Sequence, residues 1–134
     1  MNYWLIKSEP NTWSWDDQVK EGVSMWDGVR NYQARNNLKK MKIKDLCFFY
    51  HSVKEKSIIG IVKVVKEYYP DPTDKTGKFV VVDVKPIKKL NHPVALYQIK
   101  EDKKLKNIAL IKQSRLSVMP LSKTEWENIL KISK

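Results

Sequence analysis

A chain of 134 residues with 42% hydrophobic and 31% charged side chains has the size and mix of one folded domain, 1–134, whose core needs no covalent staple. No apolar run reaches the roughly 18 residues that cross a bilayer, Met1–Lys7 has no signal-peptide character, and the lone Cys47 rules out an internal disulfide, so the expected setting is the reducing cytoplasm. The net charge of +11 draws polyanions, of which phosphate backbones are the most abundant, although lysine-rich faces also serve solubility alone.

In chain order, Tyr3–Lys7 reads as a buried strand that stops at Ser8-Glu9-Pro10, because proline donates nothing to a ladder. Ser14 with Asp17 three residues on predicts a boxed helix start, and Gly22 its end. After Trp26 the pair Asp27-Gly28 turns the chain. Asp27 is then a candidate cap for a helix over about 29–40, with Ala34, Leu38 and Met41 on its apolar face. Leu46–Ser52, Ser57–Tyr68 and Phe79–Ile87 are rich in β-branched and aromatic residues and read as strands, with the turn formers of 70–77 as a loop between the last two.

Pro93 is a candidate opening for a short helix through about Asp102, and Lys103–Lys106 reads as a basic loop. Arg115–Met119 suggests a short strand. Ser122 and Glu125 form a capping box with Leu121 and Trp126 at the staple positions, so a helix closes the chain. There is no internal repeat and no regular βαβ alternation. The expected class is α+β, with five or six strands in an open barrel or strongly curved sheet and flanking helices.

Catalytic constellations are scarce. Cys47 and His51 lie four residues apart on one predicted strand, some 13 Å at about 3.3 Å per residue, which is beyond hydrogen-bond reach. One cysteine and two histidines supply no zinc set, and four scattered glycines make no phosphate loop. Neither an enzyme nor a metal or cofactor site is expected.

Arginine and tryptophan say more. Of 26 basic residues only three are arginine, Arg30, Arg35 and Arg115. Their flat forked guanidinium suits phosphate or a base edge, the alternative being a buried carboxylate pair. Of five tryptophans, Trp4 reads as core, Trp126 as the staple, and Trp13 and Trp15 as packing around the Ser14 cap. Trp26 stands between a polar loop and a turn, just before the segment bearing two arginines. It is placed to stack on a flat base, with core packing as the alternative. In a helix Asn31 and Arg35 share one face, and their groups read base edges and hold phosphates.

Lys7-Ser8-Glu9-Pro10, Ser14 before an acidic helix start, Trp26 through Asn36, Phe48–Ser52, Gly60, Tyr69–Thr73 and Arg115–Leu121 together resemble the EVE domain family over about residues 3–130. Trp15 and Gln18 depart from it, standing where the family more often has aliphatic residues. The resemblance implies a PUA-like fold and a reader of nucleic acid, DNA or RNA, that carries modified bases. By position it implies Trp26 as stacking wall, Ser8 as hydrogen-bonding group, and Asn31, His51 and Ser52 as further pocket residues. Lys7, Arg30, Arg35 and Arg115 are then expected on the backbone, and the protein is expected to act as a monomer. The alternatives are a small-molecule or nucleotide-processing enzyme using the same pocket, and an RNA-binding protein without base specificity, in which Trp26 is fully buried.

Overall fold

A computed structural model describes residues 1–134. Strands β1 (Tyr3–Ser8), β2 (Ser24–Met25), β3 (Leu46–His51), β4 (Ser57–Pro70), β5 (Val80–Ala95) and β6 (Val118–Leu121) join helices α1 (Trp15–Glu21), α2 (Tyr32–Lys40), α3 (Leu96–Glu101), α4 (Ala109–Lys112) and α5 (Lys123–Ile132). They form one six-stranded sheet in the order β2-β5-β4-β3-β1-β6. It has two edges and is not closed, in keeping with the α+β class and open barrel expected.

The pairing of β1 with β3 is parallel, with Trp4 opposite Cys47 and Ser8 opposite His51, and the other pairings are antiparallel. A parallel neighbour cannot be reached by a tight turn. Residues 9–45 therefore cross over and carry α1, β2 and α2 before the chain re-enters the sheet. The central strands are apolar on both faces, with Leu5, Phe48 and Phe49 wholly buried, as strands covered on two sides require.

The end signals hold where the partners are local. Ser14 and Asp17 box the start of α1, and Gly22 ends it at φ 78°. Ser122 and Glu125 box α5, and Leu121 and Trp126 are both buried. Three boundaries differ. The predicted helix at 29–40 begins at Tyr32, capped by Asn31, whose side chain accepts from the Ala34 N–H, and not by Asp27. Gly28 at φ 79° takes a left-handed turn that no helix start adopts.

The helix predicted to open at Pro93 begins instead at Leu96, as α3, and ends at Glu101. Pro93 does not open it but lies inside β5, because β4 is long enough to continue the ladder through Ile58–Val94 and Ser57–Ala95. Pairing with β1 begins at Val118, so Arg115 and Ser117 precede the last strand.

One packing contact fixes the crossover to the sheet. A Cβ on Gly60 would lie 2.6 Å from Trp15 Cη2, so the indole rests on bare backbone. Trp15 has no room to retreat, since its N–H donates to His51 Nε2 at 3.0 Å and its ring meets Phe49 edge-on at 5.4 Å. Gly60→Ala is expected to destabilise the fold by about 1–3 kcal/mol through overpacking, read as a lower midpoint in urea. Adding Trp15→Leu should recover part of that loss, and an unchanged midpoint for Gly60→Ala would contradict this packing.

Candidate functional site

The crossover leaves a cleft of about 1030 Å³ at the C-terminal end of β1. Lys7 and Ser8 of β1, Thr12 and Trp13 of the next loop, Met25 through Asn31, Tyr69 of β4, Asp83 of β5 and Ser117 line it. Trp26 is its floor. Its N–H donates to Val82 O at 2.8 Å, its ring meets Phe49 edge-on at 5.4 Å, and it is 6% exposed. Trp13 is half-buried and forms a second aromatic surface, its Nε1–H donating to Gln18 Oε1 at 2.9 Å.

Gln18 is wholly buried and bonded at both ends of its amide. The same Oε1 accepts from Ser24 Oγ at 3.0 Å, and Nε2 donates to Gly22 O at 2.8 Å. A buried amide satisfied on this scale locks its partners, two of which, Trp13 and Ser24, line the cleft. Ser8 Oγ donates to Trp13 O, which orients its hydroxyl and leaves oxygen lone pairs as acceptors.

Asp71 holds the other wall. Its carboxylate is buried and accepts from Gly28 N at 3.1 Å, Arg30 Nη1 at 2.9 Å, Thr73 N at 2.7 Å and Thr73 Oγ1 at 2.6 Å. Burial pushes the Asp71 carboxyl up, but the hydrogen bonds from Thr73, Arg30 and Gly28 outweigh it and hold the group below its ordinary 3.8. Arg30 also donates from Nη2 to Thr73 Oγ1 at 2.9 Å. The buried-carboxylate alternative thus describes Arg30, which still borders the cleft.

The local charge opposes the global one. Glu9, Glu21, Asp27 and Asp83 line the cleft against only Lys7 and Arg30, in a chain of net charge +11. Tyr69 donates its hydroxyl to Asp83 Oδ1 at 2.6 Å. Burial first, then that bond and the carboxylate charge, push the Tyr69 hydroxyl up to about 12. Burial lowers the Lys7 ammonium, whose Nζ donates to Ser114 O at 2.8 Å.

Of the residues singled out from sequence, Ser8, Trp26, Asn31, Lys7 and Arg30 meet at the cleft, while His51, Ser52, Arg35 and Arg115 do not line it. His51 is a packing residue. Its Nε2 accepts from Trp15, which leaves the proton on Nδ1, 3.2 Å from Glu55 Oε1. Ser52 binds Ser8 O through its N–H at 2.9 Å. Arg35 sits 4.8 Å over the Tyr32 ring and bonds Asn36 and Lys78.

Arg115 lies in an adjoining groove of about 370 Å³ that shares Asn31 with the cleft. Trp13, assigned to packing from sequence, is a cleft residue. Trp13, Gln18, Asp71 and Asp83 went unrecognised because their partners are distant or their types unremarkable. Two sequence signals pointed to them: Gln18 stands where the family favours an aliphatic residue, and Asp71 lies within the Tyr69–Thr73 motif. Cys47 is wholly buried, and burial pushes its thiol up, away from nucleophilic use.

The EVE domain model matches residues 2–132. The chain belongs to the EVE domain family. A protein of Rhodopseudomonas palustris, 47% identical, superposes with a TM-score of 0.94 over 99% of this chain and 93% of that one. Human thymocyte nuclear protein 1, solved in complex with 5-methylcytosine-containing DNA, is 34% identical with a TM-score of 0.93 over 100% of this chain and 98% of that one. An ASCH protein of Zymomonas mobilis, at 14% identity and a TM-score of 0.62, bears on the fold alone and agrees with the PUA-like class. No helix of this EVE domain is long and apolar enough to cross a membrane.

A carboxyl held low in the folded state stabilises above its unfolded value and loses that contribution as pH falls through its folded value. Asp71→Asn is therefore expected to cost about 1–2 kcal/mol at neutral pH, below a fully buried pair because Arg30 keeps 41% of its side chain exposed. It should also flatten the loss of stability below 3.8, read by urea unfolding from about pH 5 to about pH 2. An unchanged acid limb would remove Asp71 from this role.

Proposed function

We propose that this EVE domain reads nucleic acid by taking one modified base, a 5-substituted cytosine, between Trp13 and Trp26. The observation that carries the reading is the cleft itself, with one indole as floor and a second beside it, next to an oriented serine. It is supported by the human relative solved with 5-methylcytosine-containing DNA. Base stacking on an aromatic ring returns about 1–3 kcal/mol, against a few kcal/mol to unstack the base, least in single strands.

The carboxylates suit this cargo. Cytosine presents an exocyclic amino donor that Asp or Glu accepts, and Asp27 and Asp83 line the cleft. Ser8 and Asn31 supply further polar contacts to the edge, and a buried methyl group adds about 0.8 kcal/mol. His51 and Ser52 serve the pocket from behind, through Trp15 and the Ser8 carbonyl. Lys7, Arg30, Arg35 and Arg115 face the backbone. The role is that of a binding module, not an enzyme.

A second reading, a polyanion binder indifferent to the base, has one observation in its favour, the near-complete burial of Trp26. Trp13 separates the two. Trp13→Ala is expected to lower affinity for a single-stranded 5-methylcytosine oligonucleotide by about 1–3 kcal/mol while unfolding cooperatively. Trp26→Ala should in addition lose about 3–5 kcal/mol of stability, so Trp26→Phe, with weakened binding and an intact fold, is its partner test. Fluorescence anisotropy on methylated and unmethylated strands decides. Equal affinity of wild type and both variants for both strands would favour the second reading.

A further inference from the structure

Beyond Asn31 at the base edge and Arg115 at the backbone, base capture makes no use of the groove beside the cleft, whose chemistry is distinct. Lys112 lines it from the end of α4, Gln113 and Arg115 from the α4–β6 connection, and Gln33 from the first turn of α2. No carboxylate lines it, whereas four line the cleft. Neither Lys112 nor Arg115 takes part in any of the three ion pairs of the protein. Its volume of about 370 Å³ lies within the roughly 300–1,000 Å³ of single-ligand sites.

The two spaces are joined. Asn31 lines both, and its Oδ1 is held by the Ala34 N–H at 2.9 Å. Lys7 Nζ, in the cleft wall, donates to Ser114 O at 2.8 Å and ties the groove's loop to the end of β1. That loop is closed by Leu116 N–H on Gln113 O at 3.0 Å, so Gln113 and Arg115 sit on a fixed turn.

We infer that the groove is a flanking-nucleotide subsite, in which Lys112 and Arg115 hold the phosphodiester beside the captured base while Gln33 and Gln113 meet the neighbouring base edge. The inference rests on the base-capture reading above. Charge sorts the two halves of the nucleotide. A phosphate is repelled from a cleft rich in carboxylates and drawn to a groove whose only charged groups are cations, while an amino-bearing base prefers the reverse. Amides donate and accept at once and so distinguish one base edge from another, which gives the neighbour of the modified base a sequence preference.

The test uses fluorescent single-stranded DNA bearing one 5-methylcytosine, with each flanking phosphodiester replaced in turn by a neutral methylphosphonate. Wild type should lose roughly tenfold in affinity at one of the two linkages and little at the other. In the exposed-residue variant Lys112→Gln/Arg115→Gln that difference should vanish, with a salt slope shallower by about one. Gln33→Ala/Gln113→Ala should level affinities among strands that differ only in the neighbouring base.

Binding that depends on Trp13 but is indifferent to both methylphosphonates and to the double cation variant overturns the subsite and leaves base capture standing. Binding sensitive to one linkage but indifferent to Trp13 and to the methyl group overturns base capture and keeps the groove as a backbone site. Failure of wild type to bind any of these strands overturns both.

Discussion

Phe49 is the point on which the site depends. It is wholly buried at the middle of the sheet, and three rings meet it edge-on: Trp15 and Trp26 at 5.4 Å and His51 at 5.7 Å. Edge-to-face contact places the positive rim of one ring on the negative face of another and fixes angles as well as distances. Each ring belongs to a different element of the site. Trp15 begins α1, Trp26 is the cleft floor, and His51 ends β3 and caps the Trp15 backbone. The cluster exists because the parallel β1–β3 pair sets the ends of both strands side by side, and because Gly60 leaves bare backbone under Trp15.

Around that apolar centre two buried polar groups hold the walls. Gln18 locks Trp13 and Ser24 on one side, and Asp71 locks Gly28, Arg30 and Thr73 on the other. Both satisfy their hydrogen bonds through residues that line or border the cleft. Stability and shape of the site are therefore the same contacts, and a buried group left half-bonded would cost more than a lost surface contact. The floor and walls of the cleft are held by contacts that also hold the fold.

Charge is sorted over a short distance. The chain as a whole is strongly cationic, which raises encounter rates with any polyanion and selects none. Locally the sign changes: four carboxylates line the cleft, while the groove beside it is lined by cations and amides and by no carboxylate.

Sequence alone determined whatever depends on neighbours along the chain. The boxes at Ser14 and Ser122, the stop at Gly22 and the β-rich centre follow from residues within a turn or a strand of one another, and the ordered motifs identified the family. Tertiary structure decided what those residues do. Arg30 reads equally as a phosphate contact or as half of a carboxylate pair until Asp71, 41 positions on, claims it. His51 reads as a pocket group until Trp15, 36 positions back, claims its ring nitrogen. Trp13 reads as packing until the crossover turns it onto the cleft. Local patterns report which backbone shape a segment prefers. Whether a polar or aromatic side chain is occupied or available depends on what the sheet brings to it from elsewhere, and no local spacing encodes that.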